Sequence, residues 1–138
     1  MDTTSSSWSA GRLVELAPDE CWELLGGAPV GRLAWQGSDG LSVIPVNFVA
    51  AESRIVVRTA AYSSLARECD DNPVAFQVDA LDPATRSGWS VLVRGVAHLD
   101  YGGTGSGRPA PDVWPAGARP LQLFVDPTSV TGRRLVPD

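Results

Sequence analysis

Residues 41–65 read LSVIPVNFVAAESRIVVRTAAYSSL, and the fold follows from their pattern. Apolar and β-branched residues recur with period two on either side of Ala51, Glu52 and Ser53, the signature of a β-hairpin. In the first strand, Leu41, Val43, Pro45, Asn47 and Val49 share one face, and Ser42, Ile44, Val46 and Phe48 share the other. Both faces are largely apolar, so the strand is expected to be covered on both sides. Pro45 has no N–H to give to a ladder. It marks either a bulge at a barrel corner or an interrupted strand whose backbone groups, with Asn47, are free to bond something outside the sheet.

The second strand, Arg54 to Ala60, places Ile55, Val57 and Thr59 on one face and Val56 and Arg58 on the other. A guanidinium on an apolar strand is costly to bury alone and calls for an anion, from the protein or from a ligand. Arg58 is followed by Thr59 and a small-residue turn into a short helix, Tyr62 to Cys69, which Ser63 or Ser64 can cap. Hydroxyls and free backbone N–H groups beside an arginine suit a phosphate.

Moving outward, Val30 to Gln36 pairs naturally with the hairpin through the turn Gly37-Ser38-Asp39-Gly40. Upstream, residues 13–27 carry a short helix, with Pro18 in its first turn, Cys21, Leu24 and Leu25 on one stripe, and Gly26-Gly27 as its stop. Downstream come strands Val74 to Ala80 and Trp89 to Tyr101, the latter bent at Gly95, and Leu121 to Asp126. Residues 102–120 form a glycine- and proline-rich connection, and Pro127 to Leu135 reads as a turn carrying paired arginines. Five or six strands without βα alternation close most simply as an antiparallel barrel. Residues 1–12 are expected to be a flexible tail, and 13–138 a single domain.

Several chemistries are excluded. All eleven basic residues are arginine, so a Schiff-base or Walker lysine is impossible. A net charge of −5 without a basic cluster argues against nucleic acid, and no apolar run is long enough to span a membrane. Cys21 and Cys69 make neither a disulfide framework nor a zinc site, the N-terminus lacks the apolar segment of a signal peptide, and a cytoplasmic location is the expectation. His98 stands outside any nucleophile motif, and Asp70-Asp71 reads as a solvated turn. What is left is a ligand pocket built from the Pro45/Asn47 interruption, Arg58-Thr59, Ser63-Ser64 and Trp89, suited to a flat heterocycle with a phosphate tail.

The blocks APDECWELLGGAPVGRLA, IPVNFV, IVVRTA, PVAFQVD, DPATRSGWSVLVRG and DPTSVTGRRL, in this order and spacing over residues 13–136, resemble the pyridoxamine 5′-phosphate oxidase-like family of flavin-binding split β-barrels, in its short actinobacterial form. The resemblance implies a mainly β, six-stranded antiparallel split barrel with a few short helices. It further implies FMN, or a deazaflavin, bound at a homodimer interface. By position, Pro45, Val46 and Asn47 would lie along the ring, while Arg58, Thr59, Ser63 and Ser64 would hold the phosphate. Trp89 and Ser90 would approach across the dimer. Ser64 stands where relatives usually place a lysine, which implies either weakened cofactor binding or a takeover by Arg67, one helical turn on. The activity implied is that of a flavin-dependent oxidoreductase acting on an unidentified small molecule. The alternative is a non-catalytic flavin- or ligand-binding barrel, or one without a cofactor.

Overall fold

A computed structural model describes residues 10–60, 63–100 and 110–137. Its elements in chain order are β1 (Arg12–Glu15), α1 (Pro18–Gly26), β2 (Val30–Gly37), β3 (Gly40–Ala51), β4 (Arg54–Thr59), α2 (Ser64–Cys69), β5 (Pro73–Asp82), β6 (Ser87–Asp100) and β7 (Leu121–Val136). All pairings are antiparallel, and the strand order β1-β7-β4-β3-β2-β5-β6 closes on itself through a β6–β7 pairing. Strands β2 to β7 thus form a six-membered ring, the split β-barrel that the resemblance implied. β1 lies outside the ring, paired to the far end of β7 from Arg12↔Val136 to Glu15↔Arg133.

Alternation fills the barrel. Leu33, Phe48, Ile55, Val57, Phe76, Val78, Val91, Val93, Leu123 and Val125 all belong to one buried cluster. Phe48 and Phe76 meet edge to face at 4.8 Å between centroids, an arrangement that the ring quadrupoles favour. α1 begins at Pro18, with Asp19 and Glu20 in its first turn, and the Glu20 carboxylate reaches back to accept from the Ala17 N–H. Cys21 and Leu25 are its buried stripe, set against β3, β6 and β7.

Two expectations are corrected. Pro127–Leu135 is no turn: β7 runs unbroken to Val136, pairing with β6 throughout. Pro127 is accommodated where the register slips between Arg94 and Gly95, so the proline sits at an irregularity. Gly95 is required at that bend, because a Cβ there would stand 2.2 Å from the Asp126 carbonyl oxygen. Nor is β3 covered on both faces within the chain. Leu41 is 82% and Val43 64% exposed, since that face turns out from the barrel.

The hairpin of β3 and β4 is only partly zipped. Pairing runs from Ala51↔Arg54 to Phe48↔Val57 and stops. From Asn47 back to Gly40, β3 is paired to β2 alone, and Arg58 and Thr59 on β4 are paired to β7 alone. Pro45, which has no N–H for a second neighbour, therefore lies where the sheet offers none.

Candidate functional site

The opening left by the diverging strands is a cavity of about 240 Å³. One wall is Ile44, Pro45, Val46 and Asn47 from β3. The opposite wall is Arg58, Thr59 and Ala60, continued by Ser63, Ser64 and Leu65, and Val113, Pro115 and Arg119 complete the lining. Seven residues singled out in the sequence, Pro45, Val46, Asn47, Arg58, Thr59, Ser63 and Ser64, are thereby brought together.

Local hydrogen bonds fix four of them. Ser63 caps α2, its Oγ accepting from the Ala66 N–H at 3.1 Å. The same Oγ lies 2.6 Å from Thr59 Oγ1. Two hydroxyls carry two protons, and only one can lie between them, so one O–H of the pair is left to donate elsewhere. Arg58 gives its Nε–H to the Arg119 carbonyl at 3.3 Å, which among the described residues leaves both terminal nitrogens of the guanidinium for a ligand. Asn47 joins three segments: its Nδ2 donates to the Pro29 carbonyl, and its Oδ1 accepts from the Trp114 N–H at 2.9 Å. Residues 110–120 have no regular secondary structure but are held down at both of these points.

Three predicted residues lie elsewhere. Arg67 is exposed on α2 and does not line the cavity. Its charge acts instead on Glu68, whose carboxyl is held below its usual range mainly by the Ser38 N–H, then by the Trp35 indole and the Ser38 hydroxyl. Trp89 faces inward and packs against the barrel core. Ser90, on the opposite face of β6, lines a recess of about 400 Å³ with Leu92, Arg94 and Arg133. Arg119 was not foreseen, because nothing in a glycine- and proline-rich connection marks one arginine as turned towards a distant strand.

The lining carries no carboxylate, imidazole or thiol among the described residues. Cys69 is nearby in sequence, but burial pushes its thiol up to about 12, and Cys21 is raised for the same reason. Neither is a thiolate at neutral pH. His98 lies outside the cavity, its Nδ1 2.8 Å from Asp71 Oδ1, while Asp70 accepts from the Leu99 N–H. Asp70-Asp71 is the turn that the sequence suggested, with Asp71 exposed, and it also ties the end of α2 to β6. The cavity is a binding surface with hydroxyl and guanidinium donors at one end and apolar walls at the other. Its own side chains supply no acid–base or nucleophilic pair.

Comparison with known proteins gives this geometry a context. A family model described as pyridoxamine 5′-phosphate oxidase matches residues 17–100. An uncharacterized protein of Mycobacterium tuberculosis is 33% identical over 141 residues, covering 97% of this chain and 93% of its own. The structure of an FAD-binding protein from Mycobacterium smegmatis is 31% identical with a TM-score of 0.70, covering 89% of this chain and 98% of its own. An FAD-binding protein from Mesorhizobium loti, 17% identical with a TM-score of 0.69, shares the fold over 91% of this chain and 98% of its own.

Proposed function

The chain belongs to the pyridoxamine 5′-phosphate oxidase family, and from that premise we propose that it is a flavin-dependent oxidoreductase, using FMN or a deazaflavin, that acts on a small molecule. The observation that carries this reading is the cavity in the split hairpin. Its donors converge on one end and its apolar strand wall forms the other, the polarity of a ring with a phosphorylated chain. The FAD-binding relative from Mycobacterium smegmatis supports a flavin on the same fold.

The residues fit such a group in kind. Arg58, the free hydroxyl proton of the Thr59–Ser63 pair and Ser64 would hold the phosphate, and Pro45, Val46 and Asn47 would line the ring. When bound, the flavin supplies the hydride chemistry that no side chain of the cavity can. The protein orients it and, through Ile44, Val46 and Leu65, keeps an apolar surface against it. The fit in size is incomplete within one chain. A volume of about 240 Å³ falls below the ~300–1,000 Å³ usual for ligand sites, so one chain grips the phosphate end without enclosing the ring.

A second copy of the chain completes the site in this proposal. The outward face of β3 runs from exposed Leu41 and Val43 to Pro45 and Asn47, so an apolar surface leads directly into the cavity wall. Ala34 and Ala75 continue it across β2 and β5, and contiguous exposed apolar surface marks an interaction site. Ser90, on the outer face of the same sheet, would then approach the partner's flavin. Free Cys21 and Cys69 accord with a cytoplasmic location, and no helix among the described residues is long and apolar enough to cross a membrane.

The test is visible absorption of the purified protein, with mass spectrometry of whatever denaturation releases. A colourless protein that takes up neither FMN nor a deazaflavin sinks the proposal. With FMN bound, Arg58→Ala should weaken it about ten- to a hundredfold, the value of a charge-assisted hydrogen bond, while Arg54→Ala should not. Equal affinities would show the phosphate to be misplaced. The lack of an acid or base in the cavity favours a second reading, a flavin carrier without turnover. The two part on whether reduced, flavin-loaded protein passes electrons to an organic acceptor.

A further inference from the structure

We propose that Arg119 is a second phosphate-binding side chain of this cavity, so that residues 110–120 deliver half of a two-arginine anion site. The inference rests on the flavin reading for its ligand but on separate residues for its argument. Arg119 and Arg58 both line the cavity, and neither is ion-paired with a carboxylate among the described residues. In a chain with 16 acidic residues and a net charge of −5, two half-buried guanidiniums facing a common space without a carboxylate are an unbalanced arrangement. Like charges in a partly desolvated space repel, and a doubly charged phosphate ester is the ligand that reverses the sign of that interaction.

The backbone holds Arg119 in place for this task. Its carbonyl accepts from Arg58 Nε, which fixes the separation of the two residues and turns Arg58 with the same bond. Gly117, at φ +113°, bends the segment in a conformation open to glycine, and Arg119 Nη1 lies 3.5 Å from where a Cβ on that glycine would stand. At the other end of the segment, the Trp114 N–H is fastened to Asn47. Arg67, the neighbour in sequence, contributes nothing to this lining. The second cation arrives instead from 61 residues away.

FMN and riboflavin, which differ only by the phosphate, are the ligands that test it, with binding followed by quenching of flavin fluorescence at two salt concentrations. Arg119→Gln, close in size, is compared with Arg54→Gln, which removes the same charge outside the cavity. The expected result is that Arg119→Gln weakens FMN about ten- to a hundredfold, flattens its salt dependence and leaves riboflavin unchanged, whereas Arg54→Gln leaves both ligands as they were. Unchanged FMN affinity in Arg119→Gln, with wild type still preferring FMN to riboflavin, overturns the role of Arg119 and leaves the flavin site standing. Equal loss of FMN and riboflavin also overturns it, since the residue would then act on the ring or the fold. A wild-type protein that binds neither flavin overturns the flavin reading and this inference together.

Discussion

Replacing Gln122 by leucine is expected to make the protein more stable. Gln122 sits on β7 between Arg58 of β4 and Asp100 of β6 in the strand register. Its side chain is fully buried, and neither Nε2 nor Oε1 has a hydrogen-bond partner among the described residues. A buried donor or acceptor left unsatisfied costs about 1–3 kcal/mol. Leucine removes both groups and keeps much of the volume. Allowing for imperfect shape match, which offsets part of the gain, the net should be about 1–3 kcal/mol. The assay is urea unfolding of both proteins at one concentration and without added flavin. The midpoint should rise at unchanged slope, and each kcal/mol should move Tm by about 3–5 °C in a chain of this length. A lower midpoint for the leucine variant would refute the reasoning, because the amide would then have to be bonded in the folded protein.

Gly95→Ala should destabilise by about 1–3 kcal/mol, read by the same unfolding assay, because the new methyl would meet the Asp126 carbonyl, a backbone atom with no room to withdraw. Glu68→Gln should cost stability at neutral pH and cost progressively less in acid. The folded carboxyl lies below its ordinary 4.5, so its contribution is present above that value and is lost as pH falls through the lowered one. Unfolding midpoints of the two proteins should therefore converge between pH 5 and strongly acidic conditions, about the range in which such carboxyls protonate, and a gap that persists in strong acid would contradict it.

The hairpin of β3 and β4 lines the candidate cavity, and its local signals point to that opening. Pro45 without an N–H and Arg58 on an apolar strand both mark the place where β3 and β4 part. Gly95 announced the bend in β6. What local pattern concealed was set by partners far away in the chain. Pro127, Thr128 and Gly132 look like turn residues until β6 is present to pair with them, and strand pairing overrides such preferences. Arg67, one helical turn beyond Ser63, does not line the cavity, whereas Arg119 does, its position depending on a bond to Arg58. The inward packing of Trp89 is legible in its parity, which it shares with Val91 and Val93, both buried, while Ser90 has the opposite parity.

The ring has a late keystone. β7 pairs with β6 along its length, with β4 at its start and with β1 at its end, so three strands wait for the last one made. Contacts such as Ile55↔Val125 close very long loops, and pairings of that kind make folding slow. During synthesis the edges of β4 and β6 stay open until residues 121–136 have emerged, and for that interval the chain offers two unpaired apolar edges to its neighbours. Its vulnerable period is thus set by where β7 falls in the chain, and a chaperone acting on this protein would have most to do just before the barrel shuts.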